Sequence, residues 1–245
     1  MANWDDRTRQ GFGSVPRAGG DVASRTTFDA GLRKYMLSIY NYMTSGVLLT
    51  GIVALVMAQT GLAYAMATSP LFIIVALAPL AIVLAMSFGA QKFGRGTLQA
   101  MFWGFAFLMG LSLSTIFLRY TGGSIAATFF ATAGAFAGLS LFGYTTKKDL
   151  SGMGTFLVMG VIGLLIAMVI NMFLGSSTLG LVISFLGVLI FAGLTAYDTQ
   201  RLKREYEYLR GTEFVGKAVI MGALSLYLDF INMFLFLLRF MGSRE

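Results

Sequence analysis

Residues 71–90 read LFIIVALAPLAIVLAMSFGA, a run without a single charged side chain. An uncharged apolar run of about 18 residues or more is long enough to cross the hydrocarbon core of a bilayer as a helix. Pro79 lies inside the run and is expected to kink that helix. This stretch therefore predicts a transmembrane helix, and the same pattern recurs along the chain.

The whole chain has the composition of a membrane protein. Of its 245 residues, 57% are hydrophobic and only 12% are charged, whereas a soluble domain carries about 25% charged residues. Between Met36 and Tyr197, charged side chains occur only in short connections between apolar runs, at Lys92, Arg95, Arg119, Lys147, Lys148 and Asp149. We therefore predict an all-α integral membrane protein with almost no soluble domain.

Glycine- and proline-containing connections divide the apolar sequence into seven segments. The predicted spans are 36–59, 70–91, 98–118, 124–144, 154–174, 178–198 and 217–240. Residues 1–30 are rich in Gly, Ser, Thr, Arg and Asp and lack apolar periodicity, so they are expected to form a flexible cytoplasmic tail. The transmembrane domain is expected over residues 31–245.

The distribution of basic residues predicts the orientation in the membrane. With seven spans, fifteen Lys and Arg side chains fall on the side that holds the N-terminal tail, and three fall on the other side. The positive-inside rule then places the N-terminus in the cytoplasm and the C-terminus outside. If the last segment were only re-entrant, both termini would be cytoplasmic.

Several classes of chemistry are excluded by composition. The formal net charge is +7, but the basic residues form no stripe with interleaved aromatic residues, so no nucleic-acid partner is predicted. The chain contains neither cysteine nor histidine, which removes disulfides, thiolate nucleophiles, Ser/His triads and haem ligation. No resident metal or cofactor is predicted. A response to pH would have to come from carboxylates or amines.

Two acidic residues stand out because they fall within or beside apolar spans. Asp229 lies inside the seventh span, and Asp198 lies at the predicted end of the sixth. A charged carboxylate at membrane depth costs about 2.5–3.5 kcal/mol, so it should be protonated, paired with a cation or solvated in a cavity. Asp229 shares one helical face with polar Ser225 and Asn232, and this face is expected to look into the bundle.

The surroundings of Asp198 leave two interpretations open. Arg201 follows at i+3, so a plain interfacial ion pair would explain the acid. Alternatively, Asp198 faces Asp229 across the two helices, and the two carboxyls share a proton and titrate as a pair. Lys92 and Arg95, at the cytoplasmic end of the second span, are candidate cations for such a pair. Each is equally explained as a topology-setting residue whose charge reaches the membrane surface.

Two C-terminal stretches resemble signatures of the Bax inhibitor-1 family, also called the transmembrane Bax inhibitor motif family. They are FAGLTAYDTQR at 191–201 and ALSLYLDFINMF at 223–234. The resemblance implies seven helices, with the seventh enclosed by the other six. It also indicates a bacterial member, located in the inner membrane.

The resemblance implies a function as well. Members of the family are described as pH-sensitive calcium leaks, controlled by an aspartate pair that falls here on Asp198 and Asp229 as pH sensor and ion pathway. In a bacterial relative an arginine on the second helix latches onto that pair. Lys92 occupies the corresponding position here, with Arg95 one turn later, and lysine lacks the planar fork that holds two carboxylates at once.

Two other functions are compatible with the sequence. Some bacterial members are implied to restrain a membrane-bound ATP-dependent protease without conducting ions, and the basic tail of residues 1–30 could serve that role. Paired aspartates on neighbouring spans are also typical of intramembrane aspartyl proteases. Those enzymes share a Gly-x-Gly-Asp motif, whereas Asp229 follows Leu226-Tyr227-Leu228, so no enzymatic activity is predicted.

Overall fold

The computed structural model describes the backbone of residues 18–243 and the side chains from Phe28 to Ser243. Its helices are α1 (Ala18–Gln59), α2 (Leu62–Ala67), α3 (Leu71–Gly89), α4 (Arg95–Leu113), α5 (Gly122–Thr145), α6 (Ser151–Leu174), α7 (Ser177–Leu209) and α8 (Val215–Met241). A short 3-10 helix, Ser114–Leu118, continues α4.

Seven helices in this described part are long and apolar enough to cross a membrane. They are α1 from Phe28 onwards, α3, α4 with its 3-10 extension, and α5 to α8. The prediction of an all-α protein with seven membrane helices is therefore confirmed. Helices α7 and α8 are the sixth and seventh spans.

Most helix boundaries lie within a few residues of those predicted, and two differ by a larger margin. Helix α1 begins at Ala18, ahead of the boundary at residue 30, and residues 1–17 lie outside the described residues, so the flexible tail stays a prediction. Helix α7 runs on to Leu209 and contains 33 residues, a length of about 50 Å. The charged residues after Asp198 end the apolar run but not the helix. Asp198 therefore lies within α7 rather than at its end, which corrects the predicted boundary at residue 198.

Local chemistry explains where several helices begin and end. The side chains of Thr121 and Ser176 cap α5 and α7 by accepting hydrogen bonds from backbone N–H groups, at 3.3 and 3.2 Å. Gly175 ends α6 with φ of 63°, and Gly211 turns the chain between α7 and α8 with φ of 78°. Such positive φ values are readily adopted only by glycine.

The last helix is the most deeply buried. In its most apolar window 72% of the residues are buried, against 11% in both α3 and α6. Helix α8 packs extensively against α1, α4, α5 and α7. Its enclosure by all six other spans stays a prediction.

A hydrogen-bonded chain ties three helices together in the interior. The fully buried Tyr227 on α8 has its hydroxyl 2.6 Å from Oγ1 of Thr50 on α1. Thr50 in turn donates to the carbonyl oxygen of Ala106 on α4, at 2.7 Å. Phe105 packs its ring edge-on to Tyr227, with centroids 5.0 Å apart. These bonds satisfy polar groups that would otherwise be exposed to hydrocarbon.

A glycine allows α5 to approach α7 closely beside the acidic residues. A Cβ atom at Gly143 would overlap the carbonyl oxygen of Ala196. Because that obstacle is backbone rather than a flexible side chain, only glycine fits at this contact. The contact fixes the backbone of α7 two residues before Asp198.

Candidate acidic site between the sixth and seventh spans

Asp198 sits in the contact between α7 and α8 and is almost completely buried, with 5% of the residue exposed. Its Oδ2 accepts a hydrogen bond from the Ser225 hydroxyl of α8. The same oxygen lies 3.2 Å from Nη2 of Arg201, one helical turn later on α7. Arg201 also donates to the Ser225 hydroxyl oxygen, at 3.1 Å. Acid, hydroxyl and guanidinium thus form a closed triangle across the two helices.

Asp229 lies deeper on α8. It follows Ser225 by four residues, which places it about 6 Å further along the helix axis. The residue is only 5% exposed, and its Oδ2 has no hydrogen-bond partner among the described residues. The charges of Asp198 and Arg201 are both close enough to act on this carboxyl. A buried polar group without a partner is costly and calls for a functional explanation.

Of the two interpretations of Asp198, the structure contains the ion pair, whereas the proton shared with Asp229 stays a prediction. The i+3 pair with Arg201 is present, and Asp229 lies within electrostatic range. A direct carboxyl–carboxyl hydrogen bond does not occur between these two described residues. Ser225, on the same helix as Asp229, instead donates a hydrogen bond to Asp198.

The cation at this site is Arg201, not either of the latch candidates. Lys92 and Arg95 are exposed near the connection between α3 and α4. The ion pairs of the described side chains join Arg201 to Asp198 and Arg204 to Asp149, so neither latch candidate pairs with the acids. Arg95 instead lies against Gly216 at the start of α8. The predicted latch contact is therefore absent from this conformation.

The two polar residues predicted to share the face of Asp229 have different roles. Ser225 belongs to the triangle described above. Asn232 uses its side-chain amide to donate to the Leu228 carbonyl oxygen of its own helix, at 2.8 Å. Asn232 is thus tied to α8 itself and not to the two acids.

A third acid, Glu205, joins the site and was missed in the sequence. It is partly buried, and the charges of Arg201 and Asp198 act on it. Tyr35 of α1 lies within range of Glu205 and Arg201, and its buried hydroxyl has no hydrogen-bond partner among the described residues. The i, i+3, i+7 spacing of 198, 201 and 205 places these residues on one face of a continuous helix, a signal the sequence did contain.

An open cavity leads to the triangle from the end of the bundle where α7 finishes. It has a volume of about 850 Å³ and is lined by residues of α3, α7 and α8 together with Ser151. Arg201, Glu205 and Ser225 all contribute to its wall. By the distribution of basic residues this is the predicted cytoplasmic end. Polar groups therefore descend from the cavity, past Arg201 and Asp198, to Asp229.

Aromatic side chains pack against α8 beside Asp229 and beyond it. Phe230 packs edge-on against Phe129 and Phe136 of α5, with centroid separations of 5.6 Å for both. Phe236 stacks on Phe191 of α7 at 5.8 Å. Phe236 lies on the same face of α8 as Asp229, two turns further along, so its stack with Phe191 separates the acids from the opposite end of the bundle.

The connection between α5 and α6 is fastened to α7 beside the site. The buried Gln200 accepts a hydrogen bond from the Leu150 backbone N–H at 2.9 Å and donates to the Lys148 carbonyl oxygen at 2.8 Å. Arg204 contacts the exposed Asp149 at 2.6 Å. Hydrogen bonds from Ser151, its backbone N–H above all, lower the pKa of Asp149 from 3.8 to about 2. The carboxylate is therefore charged throughout the physiological range.

The described residues contain no cluster of three or more acids that could hold a metal ion. Carboxylate oxygens are nevertheless the ligands that calcium prefers. The arrangement can hold a proton or an internal cation, and it could offer oxygen ligands to a passing ion.

Comparison with known proteins identifies the family. The sequence profile described as "Inhibitor of apoptosis-promoting Bax1" matches residues 32–245. The chain belongs to the Bax inhibitor-1 family. It is 45% identical to the inner membrane protein YbhL of Escherichia coli K12, over 88% of this chain and 94% of YbhL. It is also 47% identical to an uncharacterized protein of Rickettsia prowazekii, over 91% and 95% of the two chains.

A third relative, an uncharacterized protein of Caulobacter vibrioides, is 48% identical over 95% of this chain and 96% of its own length. The resemblance drawn from residues 191–201 and 223–234 is thereby confirmed at the level of the family. Membership and the seven apolar helices identify a multi-pass membrane protein.

Proposed function

We propose that the protein is a calcium leak pathway of a bacterial inner membrane, opened by changes in the number of protons held by Asp198 and Asp229. The observation that carries the proposal is the Asp229 carboxyl. It is buried at membrane depth, has an oxygen without a partner among the described residues, and lies one helical turn beyond the ion pair at the end of an open cavity. Such intramembrane acids usually mark ion or proton pathways. The name of the Escherichia coli relative supports the inner membrane.

The conformation described is a closed one in this proposal. Arg201 occupies the acid–hydroxyl triangle, where an entering cation would have to bind. The stacked rings of Phe236 and Phe191 close the bundle beyond Asp229. A proton on Asp229 keeps the number of buried charges low, because Asp198 is already paired.

Loss of that proton opens the pathway. Two ionised carboxylates in close range repel each other, and both then attract the single guanidinium of Arg201. Glu205, on the cavity wall, adds a further negative charge when it too loses its proton. With all three acids ionised, Arg201 offsets only part of the charge, and a divalent cation from the cavity compensates the remainder. Deprotonation therefore shifts the equilibrium between the closed and open states.

Calcium flux through purified protein in liposomes, measured between pH 5 and 8, tests the proposal. We expect flux from the natural protein to rise with pH. Asp229→Asn cannot lose the proton, so its flux should stay low and independent of pH. Arg201→Gln removes the internal competitor and should raise flux at low pH.

Asp149→Asn serves as the matched control, because it also replaces an acid with an amide but lies in the exposed connection between α5 and α6. Its profile should equal that of the natural protein. An Asp229→Asn profile indistinguishable from that of the natural protein would refute the sensor role. Absence of flux at every pH would favour the non-conducting alternative, in which the chain binds a membrane protease through its N-terminal tail.

A further inference from the structure

A second cavity lies on the opposite side of α8, between α1 and α5. It has a volume of about 750 Å³, within the range of sites that hold small molecules. Buried side chains form its floor, including Met43 of α1, Phe136 of α5 and Phe230 of α8. Helices α1 and α5 do not pack extensively against each other. The cavity is therefore a groove, which we call the α1–α5 groove.

The groove opens towards the hydrocarbon of the bilayer. Its rims include the exposed Leu37, Leu48 and Leu141, and all three helices that form it are membrane spans. From Arg33 to Leu48 it follows α1 for about 22 Å, more than half of the roughly 30 Å hydrocarbon core. An apolar groove of this length at this depth fits a single extended acyl chain.

The chemistry at one end of the groove specifies the headgroup. Arg33 lines that end together with Tyr144, which lies at the corresponding end of the antiparallel α5. Arg33 is exposed and forms no ion pair with the described carboxylates. By the distribution of basic residues this is the cytoplasmic interface, where a guanidinium can bind a lipid phosphate.

We propose that the α1–α5 groove is a binding site for an anionic phospholipid. One acyl chain lies along Met43, Phe136 and Phe230, and the headgroup phosphate contacts Arg33. The site does not depend on the leak function proposed above. It does touch the same helices: Phe230 is adjacent to Asp229, and the groove residue Ser140 accepts a hydrogen bond from Thr199, the neighbour of Asp198. A lipid bound in the groove therefore contacts side chains that pack next to Asp198 and Asp229.

Native mass spectrometry of the purified protein, titrated with phosphatidylglycerol or with phosphatidylcholine of the same chains, tests this assignment. One basic residue near a lipid headgroup contributes about fivefold in affinity. The natural protein should prefer phosphatidylglycerol by about that factor, and Arg33→Gln should abolish the preference. Lys34→Gln is the matched control, because Lys34 is also exposed but does not line the groove.

Filling the groove tests the acyl-chain site separately. Ala137→Trp, on the groove wall, should displace both lipids, whereas Ala135→Trp, exposed on the same helix outside the groove, should displace neither. Equal lipid binding by the two tryptophan variants would overturn the proposal, as would equal headgroup preference in Arg33→Gln and Lys34→Gln.

A second measurement covers the case in which Ala137→Trp fails to fold. Because the natural chain has no cysteine, Thr44→Cys provides a unique position in the groove for a bimane label. Phosphatidylglycerol with brominated acyl chains should quench this label, and unlabelled phosphatidylglycerol should reverse the quenching. Disulfide-linked dimers of unlabelled Thr44→Cys, or quenching that excess lipid does not reverse, would show instead that another copy or bulk lipid reaches the groove.

Discussion

Helices α3 and α8 are both long apolar spans, yet they contribute to the bundle in opposite ways. Of the spans, α3 has the highest mean hydropathy and α6 the next highest, and only 11% of the most apolar window is buried in each. Helix α8 has a much lower mean hydropathy, and 72% of its window is buried. Its interior residues include an aspartate and a hydrogen-bonded tyrosine.

The difference shows that mean hydropathy identifies helices that can cross the membrane. Mean hydropathy does not show which of those helices is buried inside the bundle. Lipid chains are as apolar as leucine, so an apolar helix gains no hydrophobic free energy by leaving them for the bundle interior. Polar groups do gain, because only other helices or a cavity can satisfy them. The polar residues of an otherwise apolar span therefore indicate which side faces inward.

The largest effect is expected from a substitution that disrupts the close packing of α5 against α7. Gly143→Val should prevent folding, because its side chain would collide with the Ala196 backbone beside the acidic site. Overpacking costs about 1–3 kcal/mol, and more when the obstacle cannot move. Gly138→Val is the control, since a Cβ there meets open space. The yield of monodisperse protein after extraction in detergent distinguishes the two, and similar yields would contradict the close approach.

The next largest effect is expected from placing an acid on the lipid-facing helix α3, and it is compared with removing the acid from the buried helix α8. Leu80→Asp places a carboxylate on the exposed face of α3 and should cost about 2.5–3.5 kcal/mol. Asp229→Leu should leave thermal stability unchanged or higher, because replacing a buried ionisable group by an apolar one is often neutral or stabilising. Melting temperatures in detergent measure both. A strongly destabilised Asp229→Leu would mean that the acid is structural.

A smaller effect comes from the hydrogen bond that joins α8 to α1. Tyr227→Phe removes the 2.6 Å contact with Thr50 but keeps the aromatic packing. Hydrogen bonds between membrane helices contribute about 1 kcal/mol, so a modest drop in melting temperature is expected. Tyr64→Phe, at an exposed position of α2, should have no effect. Equal melting temperatures for the two variants would contradict a stabilising role of the bond.

The smallest effect belongs to the exposed ion pair beside the site. Because the pKa of Asp149 is lowered from 3.8 to about 2 in the folded protein, its contribution is complete above about pH 4 and is lost as the pH falls through about 2. Asp149→Asn should therefore differ from the natural protein by the same small shift in melting temperature at pH 5 and at pH 8. A shift that changes between these two pH values would show that another group titrates with Asp149.

The sequence was sufficient to predict the membrane architecture, because apolar runs and their breakers depend on local composition alone. It also singled out Asp198, Arg201 and Ser225, because an acid in an apolar span needs a partner and helical spacing limits the choice. It did not predict the length of α7, since the charges that end the apolar run are themselves good helix formers. Glu205 was missed for that reason, having been interpreted as a loop residue.

Two other features depended on tertiary placement. Gln200 is bonded to backbone groups about fifty residues away in sequence, and no local pattern specifies such a partner. The latch was assigned to Lys92 or Arg95 by correspondence with a relative. The direction of an exposed side chain at a helix end depends on its surroundings. In this structure Lys92 and Arg95 lie away from the two acids.

We expect the pairing of Asp198 with Arg201 to ease the entry of the sixth span into the bilayer during synthesis. Both residues lie one turn apart on α7. The sixth span can therefore leave the translocon with the charge of Asp198 already neutralised by Arg201. Asp229 follows on α8 with no basic residue of its own helix within one turn. The seventh span therefore depends on helices made earlier to receive its carboxyl.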